Sequence, residues 1–320
     1  ISSWSAISYS SVTVWNAHGF WLDGATATAV AFSTAVNDSA TRHAVYLDGG
    51  KNNAFTVLVA SNSHASGIGL YALGSDTNTV TQSRLWGGTF GARLDAGSGY
   101  NAISLSTMAG GASAGFSTLS ADSNTVTQSY MQGLNGVTLN AGSESNAISL
   151  STMIGSTQNG YYTAGASNTV TESFMRGGNN GARFDVGADF SVVRLSTMVG
   201  AGGDGLRVAT DSNTVAQSYI QGALIGLEFN SGADGSVISL STMIGSVNYG
   251  VYLVGASSNT VSLSYMAGAR GLQLQTGSNY NVVDRSTGTG NYGAVIDASS
   301  WNIITQSFLT GQGGFTGLNL

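Results

Sequence analysis

The sequence predicts an all-β protein, a parallel β-helix (β-solenoid) of about 14 coils of about 22–23 residues, with three short strands per coil. Two observations predict it. A small polar residue opens unit after unit: Ser5, Thr28, Asn53, Asn78, Asn101, Asn124, Asn146, Asn168, Ser191, Asn213, Ser236, Asn259, Asn281 and Asn302, spaced 21 to 25 residues apart. Inside each unit, apolar residues recur every second position, the period of a strand. Units this short exclude helix-pair repeats, and no leucine-rich signature is present.

The elements follow in order. Two residues after each opening residue the position is always apolar, as in Ile103, Val126 and Ile148. Five after it stands Ser in every unit but one, where Leu58 replaces it. Seven after it lie all seven methionines: Met108, Met131, Met153, Met175, Met198, Met243 and Met266. A third short run follows a Gly, as in GVTL at 136 and GLEF at 226. The Met column reads as soft core filler. The Ser column reads as hydroxyls that donate to one neighbour and accept from the next. Repeats cover the chain, so residues 1–320 form one domain. Residues 1–77 are divergent coils, and 78–320 are regular coils alternating in a two-coil repeat.

Composition narrows the function. Only 8% of the residues are charged and the net charge is -6. No basic stripe exists, which excludes a nucleic-acid partner. No apolar run is long enough to span a membrane. There is no Cys, and no Pro, as expected where nearly every residue donates to a ladder. The opening ISSWSAISYS lacks the pattern of a signal peptide, so the chain reads as processed or excised.

NTVTQSYMQG at 124 and its relatives resemble the repeat of the right-handed parallel β-helix superfamily, the fold of pectate lyases, polygalacturonases, phage tailspikes and bacterial surface proteins. In that superfamily a small polar residue stacks inside the tight bend between the second and third strands. The resemblance is closest to the non-catalytic surface, adhesin or fibre members. It covers the whole chain but is architectural, and the fold carries many functions.

Three surfaces hold the candidate residues. Positions four, six and eight after the opening residue point outward. They form an apolar stripe that includes Leu105, Tyr130, Leu150, Ile154, Phe174, Leu195, Tyr219, Leu240, Ile244 and Tyr265. Soluble monomers seldom expose such a stripe, so it reads as a self-association face. The outward positions of the third strands run Trp21, Tyr46, Gly69, Arg93, Ser117, Thr138, Tyr162, Arg183, Arg207, Glu228, Tyr252, Gln273, Val295 and Thr316. In the superfamily's enzymes this strand lines the polysaccharide groove. Here Trp21, Asp23, Tyr46, Asp48, Tyr162 and Tyr252 are candidate carbohydrate contacts. Arg183, Asp185, Arg207 and Glu228 are the candidate catalytic patch, with cross-strand ion pairing as its structural alternative. The adjacent-aspartate and Gly-His-Gly signatures of polygalacturonases are absent. Finally, His18, His43 and His64 all lie near the start of the chain. No metal site or cofactor is expected from them. Outward Thr pairs such as Thr125 and Thr127 allow an ice-binding reading, but charges interrupt the array.

The expectation is a structural extracellular or cell-surface solenoid that associates with itself or with adjacent segments of a larger surface protein, without turnover. The alternative is a polysaccharide-binding or polysaccharide-cleaving domain, and an enzyme of this kind would be a lyase or glycoside hydrolase.

Overall fold

A computed structural model of the protein describes residues 4–314 and 316–320. Among these residues every regular element is a strand, and there are 42. The strands lie in three parallel sheets of fourteen, and each sheet takes every third strand along the chain. This is the β-solenoid that the repeat predicts. The contacts group the chain into two compact units, Ile1–Ser156 and Thr157–Leu320.

In the first unit the first sheet runs from Ser5–Ser8 to Ala147–Ser149 and the second from Ser11–Val14 to Thr152–Gly155. The third runs from Phe20–Asp23 to Asn135–Leu139. The registers pair like with like: Val80, Ile103, Val126 and Ile148 stack in the first sheet, and Leu85, Met108 and Met131 in the second. The second unit repeats the plan, with Met175 beside Met198 and Val193 beside Val215. All seven methionines are completely buried, as are most of the inward Val, Ile and Leu.

Each first-sheet strand is short because the chain turns sharply on both sides of it. Ahead of it stands a residue with positive φ, such as Tyr100, Ser123, Ser145 or Ser212, and behind it another, such as Gln82, Leu105, Leu150 or Leu195. At most of these turns the N–H of the turned residue still donates across to the neighbouring coil, as Ser123 does to Glu144 O at 2.9 Å and Leu105 to Thr127 O at 3.2 Å, so the ladder continues through the corner.

The residue after each turn points inward and completes the corner. Ahead of the first sheet this is the Asn column. Asn124 Oδ1 accepts from the N–H and the Nδ2 of Asn101, at 2.9 and 3.0 Å. Asn124 in turn donates both groups to Asn146 Oδ1, and its Nδ2 also reaches Ser98 O. Behind the first sheet this is the Ser column. Ser129 Oγ accepts from the N–H of Ser106 at 3.2 Å and donates to Thr127 O at 2.8 Å. The serines thus satisfy themselves against backbone. At Ser83, Ser106 and Ser129 each oxygen takes a neighbouring-coil N–H and donates to the carbonyl two residues back, in place of the hydroxyl-to-hydroxyl chain expected from the sequence.

Candidate functional site

The outward stripe lies where the sequence places it. Leu105, Leu150, Leu195 and Leu240 are each about half exposed, at 51, 51, 53 and 55%. They occupy the positive-φ corner behind the first sheet, with φ between 50 and 52°. Tyr130, Phe174, Tyr219 and Tyr265 open the second-sheet strands with their rings exposed. Ile154 and Ile244 are half-buried on the outer side of the intervening second-sheet strands, Thr152–Gly155 and Thr242–Gly245. In the first unit, Val57 and Leu105 flank the Gln82 corner. Beside it is a depression of about 330 Å³, lined also by Val59, Arg84 and Thr107. Around Gln82 the large corner residues on either side thus give projections with a recess between them.

The third-sheet face of the first unit carries an aromatic and imidazole cluster. Register pairs Trp21 with Tyr46 and Tyr46 with Tyr71. Tyr71 therefore occupies the outward position that the sequence gives to Gly69. That coil is 25 residues long, and the additional residues lie ahead of its third strand, which moves the register by two. The same kind of shift puts Asn319, in place of Thr316, beside Val295 in the second unit. The rings stack stepwise, with centroids 6.3 Å apart for Trp21–Tyr46 and 5.5 Å for Tyr46–Tyr71. His18 packs on Tyr46 at 4.6 Å, and His43 on Tyr71 at 4.7 Å. Asp23 and Asp48 are register partners beyond the rings. Tyr71 OH donates to Asp95 Oδ2 at 3.0 Å, and Arg93 binds both oxygens of Asp95 at 2.8 Å. Burial, then the Asp95 charge, pushes the Tyr71 hydroxyl up to about 12. Burial, then the positive charges around it, pushes His43 down to about 4. His18 is lowered by the same two causes, its cationic neighbour being Arg42.

The third-sheet face of the second unit holds the charged patch. Register places Tyr162, Arg183, Arg207, Glu228 and Tyr252 on successive strands. The cations are tied to acids: Arg183 to Asp185 at 2.8 Å and Arg207 to Glu228 at 3.3 Å. Tyr162 OH donates to the same Asp185. One acid escaped the sequence reading. Asp204, buried in the turn ahead of its strand, hydrogen-bonds Glu228. Its carboxyl is pushed up to about 7 by burial and by the Glu228 charge. A carboxylate beside a second carboxyl disfavours the ionisation of that carboxyl. Acid and base flanking a glycosidic bond stand roughly 5 Å or more apart. No sequence signal marks Asp204, because its partner lies a coil away.

Comparison with known proteins adds a family. The profile described as periplasmic copper-binding protein (NosD) matches residues 3–179, more than half of the chain. The chain belongs to the NosD family. The family is described as periplasmic, a compartment outside the cytoplasm. Among solved structures, the A-module of the mannuronan C-5 epimerase AlgE6 of Azotobacter vinelandii is similar, with TM-score 0.57 and 10% identity over 96% of this chain and 91% of that one. The A-module of AlgE4 from the same organism gives 0.41 and 11%, over 92% and 90%. The catalytic domain of a GH87 α-1,3-glucanase gives 0.38 and 10%, over 98% of this chain and 64% of that one. The AlgE6 likeness is at this identity one of fold, and beside the family match it is the fold of the right-handed parallel β-helix superfamily. No curated sequence matches significantly. The donors that copper prefers are Cys, Met and His. This NosD chain has no Cys, and its Met sulfurs are sealed in the core. Among the described residues, no group of three or more His, Asp and Glu could hold an ion.

Proposed function

We propose that this NosD-family chain is an extracytoplasmic structural solenoid that associates with further copies of itself through the corner behind the first sheet. The observation that carries the reading is the choice of residue at that corner. A non-Gly residue in the left-handed region costs on the order of 1 kcal/mol or more, and Gly, Asn and Asp bear it best. None of the fourteen positions uses them. Eight are Tyr9, Phe32, Val57, Leu105, Leu150, Leu195, Leu240 and Leu263, and the others are Gln, Glu and Arg. Strained, exposed leucines contribute nothing to the core. Burying the outer half of each would contribute roughly 1 kcal/mol to an interface. The partner with a matching period of large, exposed corner residues, and with as little charge, is a second copy. Negative-stain electron microscopy across a concentration series tests this. Ordered assemblies that grow with concentration are expected, and dispersed single particles at every concentration would refute it.

One observation favours a second reading, a polysaccharide contact. Trp21, Tyr46 and Tyr71 form an outward aromatic strip beside Asp23, Asp48 and Arg93, apolar ring area edged by hydrogen-bonding groups. Affinity electrophoresis in gels containing a panel of neutral and acidic polysaccharides separates the readings. Retardation that disappears in Trp21→Ala supports the contact. Unretarded migration in every gel removes it.

A further inference from the structure

We infer that the histidines of this chain are held as structural groups and that the chain builds no copper site of its own, despite the description of its family. A ligating imidazole presents the lone pair of one nitrogen to the metal and donates the proton of the other, usually to a carbonyl or carboxylate. His18 is wired the opposite way. Both of its nitrogens face donors, Nδ1 the backbone N–H of His43 at 3.0 Å and Nε2 the Arg42 guanidinium at 3.3 Å. Ligation through Nε2 would set a metal cation against the Arg42 guanidinium, and ligation through Nδ1 would displace the His43 N–H.

His64 repeats the arrangement within its own turn, where Nδ1 accepts the N–H of Ser66 at 3.1 Å. His43 is wedged between the Tyr46 and Tyr71 rings, and its Nδ1 is buried without a partner. These are all the histidines of the chain, and the methionines and cysteines have been accounted for above. On this account the imidazoles hold the aromatic strip in place: His18 fixes the turn at His43 and fills the space beside Trp21 and Tyr46.

The test is copper loading of the full chain. Protein is incubated with Cu(II), or anaerobically with Cu(I), passed over a desalting column and assayed for metal. Thermal midpoints are measured with copper and with chelator. The expected result is no retained stoichiometric copper and no copper-dependent shift. His18→Ala and His43→Ala should lower the midpoint to the same extent in both conditions. One retained equivalent, or a midpoint that copper raises in the wild type but not in a histidine variant, overturns the inference. Nitrogen-15 chemical shifts of the ring give a second check. Those of His18 are expected to stay unchanged when Cu(I) is added, and a copper-dependent shift of either nitrogen would also overturn it.

Discussion

Ahead of each first-sheet strand and again behind it, the chain turns through one residue of positive φ and then sends a small polar side chain inward. The backbone solutions are alike, yet the outward residues differ. The leading corner mostly takes small ones: Ala27, Asn52, Thr77, Ser123, Ser145, Ser167, Ser212, Gly235 and Ser258, with aromatic rings at Tyr100, Phe190, Tyr280 and Trp301. The trailing corner never takes a small one. The inward residues differ as well, Asn at the leading corner and Ser at the trailing one. The leading corner is thus the stronger joint, since where Asn follows Asn, as at Asn78, Asn101 and Asn124, each side chain both accepts and donates along the column. The trailing corner is a weaker joint that tolerates strain. Where a fold repeats one backbone motif, a consistent departure from the least strained residue points to an outward role.

The largest effect should come from the leading corner. Asn124→Ala removes the acceptor of two Asn101 donors and the donor to Ser98 O, leaving buried groups unpaired. A loss of about 3 kcal/mol is expected, read as a lowered urea midpoint. Ser129→Ala at the trailing corner strands one buried N–H, that of Ser106, and should cost about 1–2 kcal/mol in the same assay. Equal losses at the two corners would break the comparison.

A pH series sharpens it at the sites away from the corners. Asp204 keeps its proton in the fold up to about 7, while the unfolded chain releases it near 3.8. Its contribution is therefore complete below that lower value and is lost as pH rises to about 7. His43 runs the other way. It stays neutral in the fold down to about 4 against 6.5 unfolded, so its contribution is complete above 6.5 and is lost as pH falls toward 4. Asp204→Asn should flatten the decline on the rising side and leave the acid side unchanged, as followed by thermal midpoints between pH 4 and 8. An unchanged profile would mean that Asp204 does not carry the proton. The smallest effect on the single chain is expected for Leu150→Asn. Asn accepts positive φ more readily, so the midpoint should hold or rise by up to about 1 kcal/mol.

Much of this was legible in the sequence. The period, the inward Ile, Ser and Met positions and the outward placing of Leu105, Tyr130 and Leu240 follow from spacing alone, because a solenoid repeats one environment per coil. What spacing could not carry is whatever depends on the neighbouring coil. The partners of the Ser hydroxyls, the Asp204–Glu228 contact and the strain at Leu105 all arise across coils or from φ. Tyr71 was misplaced because a longer coil shifts register without changing the motif. Of the candidate sites, the Arg183, Asp185, Arg207 and Glu228 patch was found as residues, but their pairing as ions was only one of two readings.

The most direct test of the central claim is sedimentation velocity over a concentration series, comparing the wild type with the combined Leu105→Asn, Leu150→Asn, Leu195→Asn and Leu240→Asn variant. The account predicts a sedimentation coefficient that rises with concentration for the wild type, and a single concentration-independent species of undiminished thermal stability for the variant. A wild type that sediments as one unchanging species, or a variant that assembles as the wild type does, would contradict it.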